Sequence, residues 1–143
     1  MTTEKPIVVD TNIIISSLLK HESPFLELLL TKKHQFYICE LNIIEVFNNK
    51  EKIIKLSKLS EEELTKVLHT LLRNLNLFKE NLIENPNWRK AYDLCKDIDE
   101  TDTPFVALTL ELDGLLLTGD KKLKAELKKS GFNWFYEYPK RSL

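Results

Sequence analysis

At 143 residues, with 21 basic and 22 acidic side chains and a formal net charge of −1, the chain fits one domain spanning residues 1–143, large enough for a single core. The near balance of charge excludes a broadly basic nucleic-acid binder and leaves room only for a local patch. No stretch approaches the roughly 18 uncharged residues of a membrane span, and Asp10 and Asn12 interrupt the N-terminal apolar run that a signal peptide would need intact.

The first element, "PIVVD", is a β-branched run without alternation, as expected of a strand buried on both faces of a parallel sheet. A helix should follow, "IIISSLLK", capped by Thr11 or Asn12. After His21 a second helix, "SPFLELLLTKK", should start with Ser23 as cap and Pro24 at its first position. "QFYIC" reads as the second strand. Its Cys39, like Cys95 further on, lacks metal-ligand spacing, so both read as core thiols of a protein in a reducing, cytoplasmic setting.

The segment "ELNIIEVFNNKEKIIKLSKL" predicts one helix with apolar residues at 43, 46, 47, 53 and 54. "SEEELTKVLHTLLRNLN" opens with Ser60 and Glu63, a capping box, and carries a Leu-rich stripe from Leu64 to Leu75. That stripe reads as core; any exposed part of it would serve a homodimer or a partner protein. A weak strand near "LFKE" comes next, then the helix "NPNWRKAYDLCKDI" with Asn85 as cap and Pro86 first. "TPFVALTLEL" is a more apolar helix, "GLLLTGD" a buried strand, "KKLKAELKKSG" a helix closed by Gly131, and "FNWFYEY" a last strand. Strands that alternate with helices predict a three-layer α/β/α sandwich around a mainly parallel, twisted sheet of four to five strands.

Such a sheet places its ligand site beyond the carboxyl ends of its strands, where strand order reverses. Asp10 ends the first strand and Asp120 follows "LLLT", so both acids should share that edge. Glu45 interrupts the apolar turn "NIIEVF", and Asp102 precedes the Thr-Pro start of the buried helix. Each has a plainer reading alone: Glu45 as a solvated helix residue, Asp102 and Asp120 as helix-start carboxylates. Together the four demand more. Two carboxylates about 4 Å apart repel by roughly 4 kcal/mol at an effective dielectric of 20, and no Lys or Arg occupies a strand end to offset it. An all-oxygen cluster without thiolate or imidazole suits one or two hard cations, Mg²⁺ or Mn²⁺, rather than zinc. The chemistry that uses such a site is phosphodiester hydrolysis. Thr11, Asn12 and Thr118 are neutral groups placed to orient the carboxylates.

The stretches "VVDTNIII", "NIIEVF", "DETDTPFVALTLELDG" and "LLLTGDKKL" resemble the four motifs of PIN-domain ribonucleases, in that order, over residues 6 to 136. The resemblance implies a metal-dependent endoribonuclease whose metal is held by Asp10, Glu45, Asp102 and Asp120, with Asn12 and Thr118 in support. Asp99 is a secondary candidate, as an extra acid ahead of the third motif; Glu40 lies too early for the second. It also implies an RNA substrate and, as for VapC-type toxins, an antitoxin partner.

Competing readings fall short on named residues. A haloacid-dehalogenase-like phosphatase needs a second aspartate where Asn12 stands, and a Rossmann module needs a glycine-rich turn where "DTNIII" stands. A non-catalytic PIN-like module that binds RNA or protein would not need all four acids. Outside the cluster, Trp134 or Tyr136 could stack on a base, and the lysines of "NNKEKIIKLSK" and "KKLKAELKK" could follow phosphates, though a core strand and solvated helix faces are the plainer readings.

Overall fold

The computed structural model describes residues 4–19 and 23–138. Lys20 and His21, on which the end of the first predicted helix falls, lie outside these. Four strands, β1 (Ile7–Val9), β2 (Phe36–Ile38), β3 (Asn76–Leu77) and β4 (Leu115–Leu117), form one parallel sheet in the order β3-β2-β1-β4. The chain moves outward from β1 through β2 to β3, then returns to pair β4 on the other side of β1. Strand order therefore reverses between β1 and β4, and a crevice opens at their carboxyl ends.

The period-two alternation of a strand divides the apolar residues between two helical layers. Ile7, Val9, Phe36, Ile38 and Leu117 face one way. They pack against α1 (Thr11–Leu19), α2 (Pro24–Leu30), α3 (Glu40–Asn48), α4 (Lys50–Ser57) and α5 (Glu61–Asn74). Val8 and Leu116 face the other way, onto α6 (Asn85–Cys95), α7 (Thr103–Leu112) and α8 (Lys121–Lys129). This is the three-layer arrangement that alternating strands and helices predict. Both cysteines are buried and free. No helix among the described residues is long and apolar enough to cross a membrane.

Local chemistry sets most boundaries as expected. Ser23 accepts from the amides of Phe25 and Leu26 to start α2, and Ser60 and Glu63 form the predicted reciprocal box at α5. Gly114 is required by space: a Cβ there would meet the Pro6 carbonyl oxygen at 2.4 Å, where Leu115 N–H pairs with Pro6 to begin β4.

Several element boundaries differ from expectation. The long helix predicted from residue 40 breaks at Asn49, whose side-chain amide donates to the Glu45 carbonyl at 2.7 Å and closes α3 there. α2 stops at Leu30 instead of continuing through the lysines. Glu84, not Asn85, occupies the cap position of α6, so Pro86 is one place further in. The final strand "FNWFYEY" shrinks to a single parallel bridge between Leu116 and Phe135, because Phe132 and Phe135 turn inward to pack edge-on at 5.4 Å.

Candidate active site

Asp10 directly follows β1, and its N–H donates across to the Leu117 carbonyl at 3.1 Å, which fixes it at the β1–β4 crevice. It is 3% exposed. Its Oδ1 accepts the Ile13 N–H at 3.1 Å, so Asp10 itself caps α1, the role expected of Thr11 or Asn12. Burial raises its pKa to about 6; hydrogen bonds from Thr118 and from the Ile13 and Asn12 amides oppose the rise, and the Asp120 charge adds to it.

Asp102 ends a short 3-10 turn (Glu100–Asp102) and stands at the cap position of α7, yet its side chain caps nothing. It therefore stands at a helix start, as the plainer reading has it, but without a side-chain bond to the helix amides. Its pKa is raised to about 7, first by burial, then by the charges of Asp99, Asp10, Asp120 and Glu45. The other four acids thus all lie within electrostatic reach of Asp102.

Glu45, half-buried on α3, faces the same cleft, which Asp10, Thr11, Asn12, Asn49, Asp102 and Phe105 also line. Asp120 borders Asp10 and Asp102 from the β4 side and is not part of that lining. It is also a true cap: its Oδ1 accepts the Leu123 N–H at 3.0 Å, while its own N–H donates to Thr118 Oγ1 at 3.1 Å. Asp99 is exposed, with Oδ1 committed to the hydroxyl and amide of Thr101. Asn12 is exposed at the rim. Glu40 lies elsewhere, accepting the Glu80 N–H at 2.6 Å. Trp134 is half exposed but sits level with Leu116, behind the cleft, under the Lys5 ammonium at 5.6 Å.

Sequence reasoning missed Asn42. It is fully buried: its Oδ1 accepts the Cys39 N–H, and its Nδ2 donates to the Val9 carbonyl at 2.9 Å and to Thr11 Oγ1 at 3.3 Å. Thr11 Oγ1 in turn donates to Glu45 Oε1 at 2.6 Å. A relay from α3 through α1 thus aims the Glu45 carboxylate at the end of β1. The available signal was the spacing of Asn42 and Glu45, three residues apart on one helical face inside an apolar run.

None of the ion pairs among the described residues involves Asp10, Glu45, Asp99, Asp102 or Asp120. The donors are oxygens only, partly desolvated and, among the described residues, not paired with a cation, and in kind and charge they fit a hard divalent ion. No group of three His, Cys, Asp or Glu side chains among the described residues is already arranged as a metal cage.

A family model for the PIN domain matches residues 8–131, and the chain belongs to that family. No curated protein sequence matches it. Among solved structures it is similar to VapBC2 from Rickettsia felis bound to a DNA fragment from their promoter: 18% identity, TM-score 0.63, 84% of this chain and 92% of the other covered. It is similar also to PAE2754 from Pyrobaculum aerophilum, at 13% identity and TM-score 0.60 over 86% and 79% of the two chains. A domain of a functionally unknown protein from Methanocaldococcus jannaschii aligns at 22% identity and TM-score 0.53, covering 97% and 96%. These likenesses show the fold.

Proposed function

We propose that the protein is a metal-dependent endoribonuclease, the toxin of a type II toxin–antitoxin pair. The observation that carries the reading is the set of carboxylates at the carboxyl edge of the sheet: Asp10, Glu45 and Asp102 line one crevice, Asp120 borders it, and none of the ion pairs among the described residues involves any of them. Asp10, Glu45, Asp102 and Asp120 would hold Mg²⁺ or Mn²⁺, which when bound supplies activation of water and stabilisation of the leaving oxygen. The chain's own residues arrange the site. Thr11 fixes Glu45, Thr118 donates to Asp10, and the α1 amide of Ile13 holds the Asp10 carboxylate in place. Asp102 has no such anchor in its cap position, and at about 7 its pKa leaves it the carboxylate closest to exchanging a proton at neutral pH.

RNA incubated with the purified protein should be cleaved with Mn²⁺ or Mg²⁺ and left intact in EDTA, and Asp102→Asn should abolish cleavage. Cleavage that persists in EDTA and in Asp102→Asn would overturn the reading. The alternative is a PIN-like module that binds RNA or protein without cutting it; RNA binding in EDTA with no cleavage under any divalent ion would establish that instead.

The toxin reading draws on the fold shared with the VapBC2 structure. It fits an apolar groove between α3 and α5, lined by Ile43, Phe47, Leu68 and Leu72, with Phe47 72% exposed. An antitoxin helix would lay its apolar face there, and an arginine from it would neutralise the cleft through its planar fork. A short open reading frame beside the gene whose product forms a complex with this chain and stops cleavage is the expected finding. An inhibitory partner without any basic residue would contradict the arginine.

A further inference from the structure

We propose that the outward face of α8 is a track for the phosphate backbone of single-stranded RNA leading away from the acidic cleft. The proposal rests on the nuclease reading for what enters the cleft and adds the surface that holds the flanking strand. An anionic cleft repels a polyanion, so a strand that enters it must be held by cations nearby. α8 is built to supply them. It begins at Asp120, whose carboxylate caps it, so its first turn abuts the cleft. Leu123 and Leu127 point into the core, which turns Lys121, Lys122, Lys128 and Lys129 to solvent.

The helix "KKLKAELKK" carries five lysines against one glutamate. At the far end Glu137 holds Lys124 at 2.8 Å and Lys128 at 3.8 Å, and Glu126 meets Lys129 at 3.4 Å. At the cleft end, none of the ion pairs among the described residues involves Lys121 or Lys122. The unneutralised charge thus lies where a phosphate next to the cleft would pass. A rise of about 1.5 Å per residue makes the face roughly 13 Å long, room for a few nucleotides of an extended strand. No base-reading group lines it, so the contact is to phosphate and is independent of sequence.

The test is binding of a fluorescent, unstructured RNA to the full chain in EDTA, over a range of salt. Replacing Lys121, Lys122, Lys128 and Lys129 together by Gln should weaken binding at least about ten-fold at moderate salt and reduce the slope of log K against log salt by roughly 2–3, at about 0.7 per lost phosphate contact. Lys121→Gln with Lys122→Gln alone should give at least half of the slope change. Lys32→Gln with Lys33→Gln, exposed residues ahead of β2 at the opposite edge of the sheet, should leave affinity within about two-fold. All are surface changes, and equal melting temperatures confirm intact folds. An unchanged slope in the α8 variants, an equal loss in the Lys32 and Lys33 variant, or no binding by the wild type would overturn the track. Because no cleavage occurs in EDTA, a wild type that binds RNA and never cuts it defeats only the nuclease reading.

Discussion

Asp10 serves two purposes with one carboxylate, and they can be separated. One oxygen caps α1; the negative charge sits buried beside Asp120 and Asp102. Asn keeps the accepting oxygen and removes the charge. In EDTA at neutral pH, Asp10→Asn should therefore melt no lower than wild type, and higher by an amount worth roughly 0.5–2 kcal/mol. Its cleavage should collapse. A clear loss of stability would mean that the charge itself, not merely the cap, supports the fold.

The pH dependence follows from the same residues. Asp10 and Asp102 have folded pKa values of about 6 and about 7 against an ordinary 3.8, so each binds its proton more tightly folded than unfolded. Their contribution is fully present below 3.8 and is lost as pH rises through about 6 and about 7. The metal-free protein should thus gain stability as pH falls from about 8 to about 5, by an amount on the order of 2 kcal/mol from Asp10. Chemical denaturation in EDTA measures this. Asp10→Asn should flatten the profile, and a wild type that loses stability over that window would contradict the assignment.

At the scale of elements, α1, α3 and α8 each deliver one acid, and each does so through a bond at a helix end or between helices. Asp120→Ala removes both charge and cap and should cost about 0.5–2 kcal/mol, whereas Asp120→Asn should cost much less while losing activity equally. Thermal melts of the two variants separate the roles. The Asn42–Thr11–Glu45 relay joins α3 to α1. Thr11→Val breaks it, leaves the buried amide of Asn42 short of one partner and the half-buried Glu45 carboxylate unanchored, and should cost about 1–3 kcal/mol with a large fall in cleavage. Wild-type activity in Thr11→Val would mean that Glu45 needs no positioning.

The elements also show what the sequence could disclose. Buried parallel strands, Ser caps and the Thr-Pro helix start are written in local residue chemistry, so "PIVVD", "GLLLTGD" and α5 could be read directly. The break at Asn49 was less visible, because the apolar positions on either side keep helical spacing and only a side-chain bond to the Glu45 carbonyl ends α3. The aromatic "FNWFYEY" looked like a strand because its residue types favour one; inward packing of Phe132 and Phe135 overrode that preference. Asp10 and Glu45 could be picked out as charges inside apolar runs, and Asp102 and Asp120 by their places before a Thr-Pro helix start and after a buried strand. Asn42 left only its spacing to Glu45 as a signal, since a neutral amide in a helix raises no electrostatic question until its tertiary partners are known.

For the whole molecule, the parallel order β3-β2-β1-β4 is what makes a site of these residues. It brings together acids separated by up to 110 positions, from Asp10 to Asp120, at the one place where the strand order reverses. The same architecture leaves two surfaces without a described occupant: the apolar α3–α5 groove in one helical layer and the lysine face of α8 in the other. The cleft lies at the sheet edge between these layers.

The central claim is that the uncompensated carboxylates form one cation site. Titration calorimetry of Mn²⁺ into the metal-free protein tests it without RNA or a partner. The wild type should bind saturably, one or two ions per chain, with binding weakened at least about ten-fold in Asp10→Asn and in Asp102→Asn, the change expected when a charged ligand is lost from a coordinated site. No saturable heat from the wild type, or equal binding by all three proteins, would contradict it.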